Sequence, residues 1–127
     1  MIFNDFLFKD CTGLQNLSFL HTNNVFTYAS AFMNCFSLQV MPTLALNVTT
    51  SLNNAFNYCR SLVKIQNIIL TNTSNSDLVS AFNSCSSLRK INLTINTNSS
   101  FSLNSTFNGC SMLEECNISI NGSGTVA

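Results

Sequence analysis

Phe8-Lys-Asp-Cys-Thr-Gly-Leu14, Phe32-Met-Asn-Cys-Phe-Ser-Leu38, Phe56-Asn-Tyr-Cys-Arg-Ser-Leu62, Phe82-Asn-Ser-Cys-Ser-Ser-Leu88 and Phe107-Asn-Gly-Cys-Ser-Met-Leu113 are five copies of one phrase. Each reads Phe-x-x-Cys-x-x-Leu, and the cysteines Cys11, Cys35, Cys59, Cys85 and Cys110 stand 24, 24, 26 and 25 residues apart. Chance does not keep three fixed positions intact five times. A period in this range marks stacked supersecondary units, each packing mainly on its neighbours. The phrase therefore decides the fold.

Working outward, the register extends both ways. Three residues after each Leu stands Leu17, Met41, Ile65, Ile91 or Cys116, so the sixth cysteine fills the aliphatic column of the last unit. Seven residues before the cysteine stand Tyr28, Leu52, Leu78 and Leu103; four before it stand Leu7, Ala31, Ala55, Ala81 and Thr106. In the third unit Leu52, Ala55, Phe56, Cys59 and Leu62 follow i, i+3, i+4, i+7, i+10, which predicts one apolar face of a short helical turn. Downstream the period falls to two. Ile91, Leu93 and Ile95 alternate with polar residues, as do Cys116, Ile118 and Ile120, which predicts strands with one buried face. Stacking such units predicts an α/β repeat of about five units of 24–26 residues. Its short parallel strands would face helical turns on the opposite wall. Residues 1–120 would form one domain and 121–127 a flexible tail.

The fixed positions then become core columns: Phe8, Phe32, Phe56, Phe82 and Phe107 in one, and Cys11, Cys35, Cys59, Cys85 and Cys110 in another, with Cys116 in the aliphatic column. Identical use of a small, moderately apolar thiol in every unit points to packing rather than to disulfides.

The stretch Asn47-Val-Thr-Thr-Ser-Leu-Asn-Asn-Ala-Phe-Asn-Tyr-Cys-Arg-Ser-Leu62 resembles the BspA-like leucine-rich repeat, over roughly residues 4 to 120. The resemblance implies a right-handed leucine-rich-repeat solenoid with one parallel strand per unit. It also implies a surface-displayed protein of adhesion and protein recognition; related repeats occur in bacteriophage proteins. From the residues, neither an export signal nor an anchor is expected, and no capping repeat is recognisable.

Composition narrows the function. Of 127 residues 46% are apolar and 8% charged, with zero net charge; Asn, Ser and Thr supply 20, 18 and 12 residues. Plentiful hydrophobics argue against disorder by charge repulsion. Five cations among five anions cannot neutralise a run of phosphates, so no nucleic-acid binding is expected. No apolar run approaches ~18 residues, so no membrane insertion is expected. The acidic opening from Met1 to Asp10 lacks the features of an export signal.

No catalytic constellation is expected either, and no cofactor. His21 stands alone, and Cys110 and Cys116 lack the close spacing of a metal site. Four glycines form no phosphate loop, and adjacent Glu114 and Glu115 would point to opposite sides of a strand. These charges instead predict cross-unit pairs, Arg89 with Glu114 and Lys90 with Glu115. Eight Asn-x-Ser/Thr sequons, at Asn16, Asn47, Asn72, Asn92, Asn98, Asn104, Asn117 and Asn121, barely exceed the expectation from composition; stacked asparagines such as Asn92 over Asn117 could form ladders instead.

Three phenylalanines stand out as candidate partner contacts. Phe3 and Phe6 crowd the start of the first unit, where they either meet a partner or fold back as a cap. Phe36 occupies a position held elsewhere by Thr12, Arg60, Ser86 and Ser111, where it either fills a gap or makes a contact. The expected function is a non-enzymatic structural or interaction module working with a protein partner or in a homo-oligomer or virion assembly. The chain would sit on a virion or extracellular surface, as a phage decoration or attachment protein. The alternative is a fragment of a bacterial surface adhesin.

Overall fold

The computed structural model describes residues 7–17, 27–46, 51–71 and 78–126. They contain six strands in one all-parallel sheet: β1 (Val40–Met41), β2 (Leu44–Leu46), β3 (Lys64–Ile65), β4 (Ile68–Thr71), β5 (Lys90–Asn96) and β6 (Glu115–Asn121). Each strand pairs with its equivalent one period later. Leu44 lies beside Ile68, Ile68 beside Leu93, and Ile91 beside Cys116. A single bridge from Asn16 to Val40 brings the first unit into the same register.

The second and third units break their strand in two, whereas the fourth and fifth run it unbroken. The cause is one extra residue. Buried Ile65 and Ile68 are three apart, but their partners in β5, Ile91 and Leu93, are two apart. The second unit has the same spacing, Met41 to Leu44, across Pro42, which has no N–H to donate to a ladder. Units two and three therefore match each other, and the surplus is absorbed between β3 and β4 as a bulge against β5.

No helix occurs among the described residues, which corrects the expected helical turns. The apolar face itself is right: Leu52, Ala55, Phe56, Cys59 and Leu62 are all fully buried. Its backbone closes i→i−3 bonds instead, from Ala55 N–H to Leu52 C=O (2.9 Å) and from Cys59 N–H to Phe56 C=O (3.0 Å). Asn54 and Tyr58 have φ of 56° and 63°, and Ser30 and Asn34, Ser80 and Ser84, and Ser105 and Gly109 repeat the pattern. A left-handed residue at every fourth position stops a helix from propagating. It also turns the alternate N–H groups toward the next unit. Asn54, Phe56 and Tyr58 donate to Val79, Ala81 and Asn83 carbonyls at 2.8–3.0 Å, so the turns form a second laterally bonded wall.

Turn and strand residues share one core. Phe8, Phe32, Phe56, Phe82 and Phe107 stack at centroid distances of 5.1, 5.1, 5.3 and 5.8 Å. Four cysteine thiols donate to the Phe carbonyl of the preceding unit, from Cys35 to Phe8, Cys59 to Phe32 and Cys85 to Phe56 at 3.0 Å, and from Cys110 to Phe82 at 3.1 Å. Those of Phe32, Phe56 and Phe82 also accept the N–H of the cysteine three residues on, so both lone pairs are used. A small side chain with a donor is what this column requires. Thr106, in the alanine column, is buried by the same device, donating to Leu78 C=O at 2.7 Å.

The columns weaken at the ends. Phe8, Phe107 and Cys110 are half-buried, and Cys11 and Cys116, expected in the core, are exposed. Units one and five have a neighbour on one side only among the described residues. The segment expected as a tail continues the register to residue 126. Thr97 N–H donates to Asn121 C=O and Phe101 N–H to Thr125 C=O, while Gly124 N–H donates back to Thr97 C=O. No helix among these residues is long and apolar enough to cross a membrane.

Candidate interaction surfaces

Two kinds of surface result from this construction. The sheet carries rows of side chains one period apart. Arg89 Nη1 meets Glu114 Oε1 at 2.8 Å and Lys90 Nζ meets Glu115 Oε2 at 3.0 Å, as the spacing predicts. Asn117 Nδ2 donates to Asn92 Oδ1 at 3.0 Å, and Asn121 Nδ2 to Asn96 Oδ1 at 2.8 Å. Beside the second ladder lies an open cleft of about 320 Å³, lined by Thr71, Asn96, Thr97, Asn98, Asn121 and Gly122. It offers amides and hydroxyls without a charged or aromatic group. The chain passes it at Gly122 with φ 101°, a conformation that suits glycine.

The turn wall is different in chemistry. Its outward positions, one residue before and one after each cysteine, are mostly Asp, Asn, Ser, Thr or Gly. Units two and three break that rule together. Phe36 is 36% exposed and Tyr58 is 41% exposed. Between them the Arg60 guanidinium carbon lies 4.7 Å from the Phe36 ring centroid and 5.9 Å from that of Tyr58. The cation sits against two aromatic faces, an attraction worth about 0.5–1 kcal/mol at exposed sites. Phe36 was visible from sequence as an anomaly. Tyr58 and Arg60 were missed; the signal was a tyrosine in a column of Asp10, Asn34, Ser84 and Gly109.

Phe3 and Phe6, expected as contacts, lie outside the described residues, as does His21. All six cysteines are free thiols. Burial pushes the Cys35 and Cys110 thiols up to about 11, and those of Cys59 and Cys85 higher still, so none of the four is a poised nucleophile. Among the described residues no group of three or more His, Cys, Asp or Glu side chains could hold a metal ion.

The fold and this cluster define a class: a parallel-sheet protein built from period-matched units, with an aromatic–arginine cluster on its turn wall. Compared with known proteins, the chain matches no family model, no curated protein and no solved structure.

Proposed function

We propose that this chain is a non-enzymatic interaction module, a solenoid of the BspA-like leucine-rich-repeat kind, displayed on the outer surface of a virion. The observation that carries the reading is the contrast between the core and the turn wall. Inside, the repeat positions are spent on ring stacking and on satisfying carbonyls, and burial keeps the Cys35, Cys59, Cys85 and Cys110 thiols protonated. Outside, a nearly neutral amide and hydroxyl surface is interrupted by Phe36, Tyr58 and Arg60, residue types that dominate protein recognition. A wall carrying such a cluster suits binding.

The alternative, a fragment of a bacterial adhesin, shares this chemistry and differs in the particle that displays it. Immunogold labelling of intact virions and unpermeabilised cells from the native source, with antibody to this chain, tests display and separates the two. Label on virions supports the leading reading, label on cells supports the alternative, and label seen only after permeabilisation overturns both.

A further inference from the structure

We infer that Phe36, Tyr58 and Arg60 form a docking site for an acidic segment of a protein partner, with a carboxylate accepting from the Arg60 guanidinium and an apolar neighbour lying on the rings. The inference rests on the reading of the chain as an interaction module and names the chemistry of its partner.

Three independent features converge on the cluster. The first is its departure from the repeat. Phe36 and Arg60 are neighbours in the column one residue after the cysteine, and Tyr58 stands in the column one residue before it. Elsewhere these columns hold small or polar residues, which the internal packing tolerates equally well. The core does not depend on rings in these columns: in the fourth unit they hold Ser84 and Ser86, and Phe82 and Cys85 are still fully buried.

The second feature is backbone strain. Tyr58 has φ 63°, a left-handed conformation that bulky side chains avoid and that Asp10, Asn34, Ser84 and Gly109 occupy in the other units. A tyrosine is held where a glycine would fit without cost. Strain of this kind collects at functional positions.

The third is charge. The protein has two arginines, and Arg89 is neutralised by Glu114 at 2.8 Å. Arg60 has no acidic partner within 4 Å among the described residues. Its guanidinium lies over Phe36 rather than in a salt bridge, so the planar edge of N–H donors is left for an external acceptor. That fork matches a carboxylate with two parallel hydrogen bonds, and the rings partly desolvate it. In units two to five the other outward positions of the wall are neutral amides, hydroxyls and a glycine, and Asp10 of the first unit is engaged by Asn34 Nδ2 at 2.8 Å, so Arg60 is the charge this cluster presents and it selects an anionic group. An apolar residue beside that carboxylate would cover the exposed faces of Phe36 and Tyr58, which marks the ligand as a protein segment.

A random peptide library displayed on phage, panned against the full chain and counter-selected against its Arg60→Gln variant, supplies the probe. Enriched peptides should carry Asp or Glu beside an aromatic or aliphatic residue. Titrated into the isotopically labelled chain, one such peptide should shift amide resonances at 33–37 and 57–61. Arg60→Gln and Phe36→Ser should each weaken it by about tenfold or more, Arg60→Lys by less, and the control Arg89→Gln not at all. Circular dichroism melting confirms that each variant is folded. No enrichment, enrichment without acidic residues, equal binding to Arg60→Gln, or shifts confined to the cleft at Asn96 and Asn121 each overturn the inference. Failure of the broader reading shows separately, in the surface-labelling experiment.

Discussion

The sheet wall and the turn wall solve the same problem with different backbone geometry. In the sheet, β5 and β6 satisfy their N–H and C=O groups by a parallel ladder over seven consecutive residue pairs. In the turn wall, alternate N–H groups close i→i−3 turns while the others cross to the next unit. The ladder follows from extended residues of any branched or apolar type. The turn wall needs a left-handed residue at every fourth position and a thiol to complete the Phe carbonyl. The difference teaches that this wall is the more demanding half, so substitutions there should have the larger effects.

The most severe test is Phe56→Ala. The ring lies fully buried between Phe32 and Phe82, at 5.1 and 5.3 Å, so its loss removes both contacts and leaves a cavity. The expected cost is about 3–5 kcal/mol, against about 0.5–1.5 kcal/mol for Ile65→Val in the sheet. Urea titration of both variants measures the gap, and equal midpoints would break the comparison. A loss of that size can unfold a domain whose stability is about 5–15 kcal/mol.

The thiols come next. In Cys85→Ala the Phe56 carbonyl keeps the Cys59 N–H but loses the thiol donor, and a small void opens, so about 1–3 kcal/mol should be lost. The same burial makes stability depend on alkaline pH. Cys35 and Cys110 are raised from 9.0 to about 11, mainly by desolvation, so the folded state holds these protons more tightly than the unfolded chain. Their contribution is fully present below pH 9 and is lost as pH rises toward 11. Melting temperature should fall over that window, and less steeply in Cys35→Ser. An identical pH slope in that variant would mean the thiol does not titrate with unfolding.

Much of this architecture was readable in the five phrases. Period, parallel register, the Phe and Cys columns and the cross-unit pairs Arg89–Glu114 and Asn92–Asn117 all follow from counting. The helical reading failed because an apolar face at i, i+3, i+4 and i+7 is shared by a chain of tight turns. Only the Ser, Asn, Asp and Gly residues at most of the positions one and five before the repeat cysteines hint at left-handed backbone. The bulge could be read from the three-residue spacing of Ile65 and Ile68, and from Pro42. Exposure of Cys11 and Cys116 could not be read from column membership, because burial depends on neighbours on both sides. At the interaction surface, the repeat columns marked Phe36; Tyr58 also stood out in a column of Asp10, Asn34, Ser84 and Gly109, but the weight of that anomaly comes from its φ of 63°.

That angle gives a further prediction. Tyr58→Gly removes the steric cost of a left-handed residue, about 1 kcal/mol or more, and forfeits a cation–π contact of about 0.5 kcal/mol at 5.9 Å. Added backbone freedom in the unfolded chain offsets part of the remainder. The expected result is unchanged or slightly raised stability, by up to about 1 kcal/mol, in contrast to every other non-conservative change on this wall. Loss of more than that would show that the ring supports the fold.

The smallest effect belongs to the sheet wall and sharpens the comparison from the other side. Arg89 and Glu114 are joined at 2.8 Å, yet their side chains remain 51% and 65% exposed. Water screens such a pair, and holding two long side chains in one geometry costs entropy, so the coupling should be about 0–0.5 kcal/mol. The backbone beneath them is already fixed, because Glu114 and Glu115 N–H both donate to Arg89 C=O and β5 pairs with β6 along its length. A double-mutant cycle of Arg89→Ala and Glu114→Ala, run at low and at high salt, isolates the pair. Coupling that is small and vanishes with salt places the register in the backbone ladder and the buried columns. Coupling above about 1 kcal/mol that persists in salt would make the charge row a structural element of the sheet wall.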